Sequence, residues 1–194
     1  MNYPLDLRFK IATIGTRVRV TDAGGGLVAY VRKKKFKLKE DVGVYEDEDQ
    51  SRLLFRMKAD RMLDFSARYA ISGPDGHPIG AVGRQGMKSM WSSSYVLADA
   101  GGMEAGAIRE ENPWVKVLDG LMESVPFGDA LGGLFFNPAY LADFHGRNVL
   151  RVSKQRSILE SSFRIEKLAD FSEDEEELLL AGVIVMVLLE RDRG

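Results

Sequence analysis

From residue 3 to about residue 110, apolar and polar side chains alternate with a period close to two. Turn signals recur roughly every 8 to 12 residues, the pattern of antiparallel strands. Leu5, Leu7 and Phe9 alternate with Asp6, Arg8 and Lys10, and Val18 and Val20 with Arg17, Arg19 and Thr21. Each set predicts one face inside and one face in water. The stretch 22–26 (DAGGG) tolerates positive φ and predicts a reversal into a strand over 27–31. Further strands are expected at 35–39 leading into 42–45, then at 52–58 and 65–72. Beyond the turn 73–78 they follow at 79–84, 88–97, 104–109, 148–153 and 161–168.

Two segments break this rhythm. Asn112-Pro113 offers a cap followed by proline at the first helical position. Trp114, Val117, Leu118, Leu121, Met122 and Val125 then recur at helical spacing, predicting an amphipathic helix that Pro126 ends. A glycine-rich loop over 128–133 follows it. At the C-terminus, Ser172 with Glu175 forms a capping box and the acidic residues 173–177 suit the positive end of a helix dipole. Residues 178–189 then carry no polar side chain, so the helix is apolar all round. Twelve residues at ~1.5 Å each reach ~18 Å, short of the ~30 Å hydrocarbon core of a bilayer. No transmembrane span is therefore expected, and the helix must be enclosed by protein. A barrel closed around a central helix satisfies both patterns.

Composition narrows the chemistry. In 194 residues there is no Cys and there are two His, His77 and His145, both at expected turns. This excludes a disulfide scaffold, a Cys nucleophile and a Cys-based zinc site, and neither His has a partner at ligand spacing. Gly80, Gly83 and Gly86 have the wrong spacing for a phosphate loop, and Ser92 to Ser94 lack a nucleophile elbow. No cofactor and no metal are expected. The opening MNYPLDLRFK lacks the features of a secretory signal, so the expected location is cytoplasmic.

The net charge of −2 hides an asymmetry: residues 1–39 hold ten Lys and Arg against Asp6 and Asp22, a net +8, leaving −10 for the other 155. Arg32, Lys33, Lys34, Lys35, Lys37 and Lys39 form one run, a candidate site for anionic phospholipid headgroups. The bland alternative is that Glu40, Asp41 and residues 46–49 neutralise the run, or that lysine protects an edge strand. Nucleic acid is not an expected partner, because only Phe36 interrupts the basic run and the overall pI, about 5.8, is acidic.

The residues also resemble a known family. FKLKEDVGVYEDEDQSRLLFRMKADRMLDFSARYAISGPDG (36–76), with its strand, acidic turn, strand and Tyr69-x-Ile71-x-x-x-x-Gly76 end, is similar to tubby-like proteins of the LURF-one-related and phospholipid scramblase branch. The stretches 91–106 and 170–192 are similar in the same way. The resemblance implies one tubby-like domain over 1–194: a mainly β fold, an antiparallel barrel of about twelve strands enclosing a hydrophobic C-terminal helix at 172–191. Segment 112–138 then reads as an insertion carrying one extra amphipathic helix. The resemblance implies binding without chemistry, and tubby domains bind phosphoinositides through basic barrel-wall residues. The chain departs from the scramblases in lacking Cys.

The expected function is thus a non-enzymatic binding module at a membrane surface, peripheral to it. The alternative is a protein-interaction scaffold or homo-oligomer, in which Trp114, Leu118, Leu121 and Met122 meet a protein partner or a second copy. A hydrolase or small-ligand enzyme in the barrel mouth comes last, for want of a motif.

Overall fold

A computed structural model of the chain describes residues 1–10, 15–33, 41–59, 68–84, 94–111, 138–155 and 161–191. Twelve strands run in sequence order: β1 (Leu5–Phe9), β2 (Thr16–Thr21), β3 (Leu27–Lys33), β4 (Asp41–Tyr45), β5 (Leu53–Ala59) and β6 (Arg68–Ser72). They continue as β7 (Pro78–Arg84), β8 (Ser94–Ala98), β9 (Glu104–Glu110), β10 (Ala139–Phe144), β11 (Arg147–Gln155) and β12 (Ser162–Lys167). Each strand pairs antiparallel with its successor, and β1 pairs with β12, so the sheet closes into a barrel without a free edge. The fold is mainly β, as expected. The reading of the sequence did not include β10. Its inward set is Tyr140, Ala142 and Phe144, but the outward set opens with Ala139 and Leu141, so apolar residues occupy both faces and the alternation is blurred.

The rim where the even-numbered strands end is closed by short turns fastened by aspartate. Asp22 Oδ1 accepts the amides of Gly24 and Gly26 at 2.9 Å, Asp99 Oδ1 that of Met103 at 2.9 Å, and Asp75 Oδ1 that of His77 at 3.0 Å. Such short side chains mimic a turn's own backbone bonds. The C-terminal helix (Glu173–Arg191) enters at this rim. Its capping box forms as the sequence predicts, Ser172 N donating to Glu175 Oε2 at 2.7 Å and Glu175 N to Ser172 Oγ at 3.3 Å.

From Leu178 to Leu188 every residue of the helix is buried, and the inward strand residues form one apolar cluster with it. The helix passes closest to β6–β9. There Gly182 permits the approach: a Cβ on it would stand 2.6 Å from Leu97 Cδ2 and 3.2 Å from Ile108 Cδ1. No helix among the described residues is long and apolar enough to cross a membrane.

Candidate functional site

The outward faces of β1, β2 and β3 carry the feature that stands out from the rest of the barrel. Strand register places Arg8 directly opposite Arg19, and Arg17 directly opposite Arg32. Lys10 joins the second pair, its amide donating to the Arg17 carbonyl at 3.0 Å. Two rows of side chains therefore cross the strands, Arg8-Arg19-Tyr30-Tyr45 over β1–β4 and Lys10-Arg17-Arg32 over β1–β3. Side chains directly opposite on such strands lie about 4.5–5.5 Å apart at Cβ, where like charges repel. Beside the rows runs a groove of about 560 Å³, lined by Asp6, Arg8, Lys10, Arg19, Thr21 and Asp22 among others.

The acids of this face are already committed. Asp6 faces Arg164 of β12 at 3.8 Å, and Asp22 is held by its own turn. The turn 46–50, between β4 and β5, reaches the rows. Glu48 pairs with Lys10 at 2.5 Å and with Arg19 at 2.9 Å, and Gln50 Oε1 accepts from Arg32 Nη1 at 2.9 Å. The hydrogen bond from Lys10, with the charge of Arg19 nearby, holds the Glu48 carboxyl below its ordinary range. Tyr30 is only 2% exposed although it points outward, and Lys10 Nζ lies 5.8 Å from its ring centre. Among the described residues Arg8 is exposed with no ion pair, and Arg17 Nε is buried with no hydrogen-bond partner.

Of the residues expected to meet headgroups, Arg32 lies in the second row and Lys33 follows on the opposite face of β3. Lys34, Lys35, Lys37 and Lys39 lie outside the described residues. So do Trp114, Leu118, Leu121 and Met122, with all of the expected insertion 112–138 except Pro138. The structure adds Arg8, Lys10, Arg17 and Arg19, which sequence reasoning counted as charge but did not nominate. The signal was there: two strands of one hairpin each spend their polar face on Arg-x-Lys or Arg-x-Arg.

At the far rim, where the helix ends, a second polar group occupies the barrel mouth. Tyr95 donates to Glu190 Oε1 at 2.6 Å, and Tyr140 lies close to the same carboxylate. Burial first, and then Glu190, push both phenols above their ordinary range, so they stay neutral donors. Arg191 lies over the Phe9 ring at 4.4 Å. These contacts clasp the last turn of the helix to β8, β10 and β1, which accounts for them as structure.

The basic face offers point charges and planar guanidinium forks, the chemistry that holds phosphate and carboxylate. No family model, curated protein or solved structure matches the chain.

Proposed function

We propose that this protein is a non-enzymatic module that docks on membrane surfaces bearing anionic phospholipid, using the outer wall of β1–β3. The observation that carries this reading is the pairing of Arg8 with Arg19 and of Arg17 with Arg32. Like charges set opposite one another cost stability, and an anion laid across the rows removes the repulsion and gains from five cations at once. Arg32 is also the first residue of the basic run, and Lys34, Lys35, Lys37 and Lys39 follow β3 in sequence. The resemblance of residues 36–76 and 170–192 to tubby-like proteins supports the same reading, since tubby domains use basic wall residues for phosphoinositides. The module works from the cytoplasmic side and is peripheral.

The test is sedimentation with vesicles of phosphatidylcholine containing phosphatidylserine. Binding should require the anionic lipid and fall with salt. The R8Q/R17Q/R19Q variant should lose roughly a hundredfold in partitioning, each charge near an anionic surface contributing about 1 kcal/mol. Equal binding by the variant, folded as judged by circular dichroism, would reject this face.

A further inference from the structure

Resting on that reading, we propose that turn 46–50 is a built-in competitor for the basic face, with Glu48 standing where the anion of a lipid headgroup would sit. The turn holds four consecutive acids, Glu46, Asp47, Glu48 and Asp49. They are not equivalent. Glu46 pairs with Arg52 at 2.8 Å, at the base of the turn. Asp47 is used within the turn, accepting from the Ser51 amide at 3.2 Å and from its hydroxyl. Asp49 is exposed. Glu48 alone of the four reaches across to the wall, one oxygen on Lys10 and the other on Arg19.

The contact spans the two rows. Lys10 belongs to one and Arg19 to the other, so one carboxylate bridges them as a single phosphate would, with two oxygens on two cations. Gln50 extends the cover to Arg32 with a neutral oxygen, from a residue in the left-handed region at φ 62°. No residue of the turn is buried: Glu46 and Asp49 are exposed, and Asp47, Glu48 and Gln50 are partly so. Lifting the turn therefore uncovers Lys10, Arg19 and Arg32 without opening the apolar interior.

One carboxylate against five cations is a weak competitor by design of its charge. It leaves Arg8 exposed and with no ion pair among the described residues, so an incoming anion has a foothold before Glu48 leaves. A sparse anionic surface meets a face already partly neutralised, while a dense one displaces the turn. Glu48 thus sets the density of anionic lipid at which the protein docks.

The experiment compares wild type, Glu48→Gln and Asp49→Asn on phosphatidylcholine vesicles over a series of phosphatidylserine fractions. The two substitutions change net charge equally and lie one residue apart, but only the first removes the contact. Glu48→Gln should bind roughly fivefold more tightly, the gain from one unit of charge near an anionic surface, and should reach half-maximal binding at a lower phosphatidylserine fraction. Asp49→Asn should gain distinctly less. In the R8Q/R17Q/R19Q background, Glu48→Gln should gain less than it does in wild type, because of its two partners only Lys10 remains. An increase no greater than that of Asp49→Asn, or any loss, would overturn the competitor while leaving the docking face standing. Failure of both wild type and Glu48→Gln to bind would instead reject the docking face and the competitor with it. Binding by Glu48→Gln alone would support both.

Discussion

On the β11–β12–β1 stretch of the outer wall, cations and acids alternate across the strands. Arg151 is the register partner of Glu166 and meets it at 3.4 Å, with Glu111 at 3.0 Å on its other side. Arg164 is the register partner of Asp6 and faces it at 3.8 Å. One strand further on, the same barrel sets Arg8 against Arg19 and Arg17 against Arg32, and of these four Glu48 from a turn pairs with Arg19 alone. Both stretches solve the same geometric problem of lining up polar side chains in water. The first does so with complementary neighbours, as a wall kept for stability would. The second gives up those cross-strand gains, and an unfavourable arrangement retained on one face is where a ligand can be sought.

The largest effect lies where the two stretches do not differ, in the interior they share. Val185 is 2% exposed on the enclosed helix, and Val185→Asp would place an unpaired charge there. The loss should be about 3–5 kcal/mol, a large part of a domain's typical stability. Chemical denaturation checks it, and a soluble variant with an unchanged midpoint would refute the buried helix. Next comes Glu166→Lys, which turns the matched stretch into a copy of the unmatched one by setting Lys opposite Arg151. The groups are about 40% exposed (39% and 42%), so the cost should be about 1 kcal/mol, or 2–4 °C in Tm. Vesicle binding should stay within a factor of two to five of wild type, since the new charge lies away from the β1–β3 rows.

How far these features were legible in the sequence follows from their range along the chain. The strand set and the enclosed helix are local patterns, alternation of Leu5-x-Leu7-x-Phe9 and an unbroken apolar run to Leu189, and they could be read directly. That acids of 46–49 neutralise basic residues was also readable by sign. The partners were not. The sequence offered the adjacent run 32–39 as the acids' partner, whereas Glu48 reaches Lys10 and Arg19, 38 residues from Lys10 along the chain. Cross-strand register between β1, β2 and β3 decides which cations face one another, and a one-residue slip would have hidden the pairing. Tyr30 shows the same limit: its position predicts exposure, yet it is 2% exposed, set between Arg19 and Tyr45 with Lys10 Nζ 5.8 Å from its ring centre.

Arg8→Glu makes the converse exchange, giving Arg19 an opposite charge across β1 and β2 and making the unmatched stretch resemble the matched one. It should stabilise the fold by about 0.5 kcal/mol while weakening vesicle binding by roughly tenfold or more, two charge units being removed from the face. Gain in one assay with loss in the other is the outcome that separates a binding face from a structural one. A variant that loses stability would show that Arg8 and Arg19 are held apart well enough not to repel, and the contrast between the two stretches would then carry no functional weight.

The smallest effect is a pH dependence of the turn's contact with the wall. Lys10, by hydrogen bond, and Arg19, by charge, hold the Glu48 carboxyl below its ordinary value of 4.5. A carboxyl whose folded pKa is depressed contributes stability that is present above the unfolded value and is lost as pH falls through the folded one. The contribution of Glu48 should therefore be constant from neutral pH down to about the ordinary glutamate range and fade below it. Asp47 and Asp170 are shifted in the same direction, by Ser51 and Lys167, so the overall acid slope of the protein does not isolate Glu48. The difference between wild type and Glu48→Gln does. The Tm gap between them should be small, because the contact is partly exposed and screened, flat above about pH 5, and closed once Glu48 is protonated. A gap that widened toward acid would mean that the carboxyl is raised rather than lowered in the folded protein, which two adjacent cations do not allow, and Glu48 would then not rest on Lys10 and Arg19.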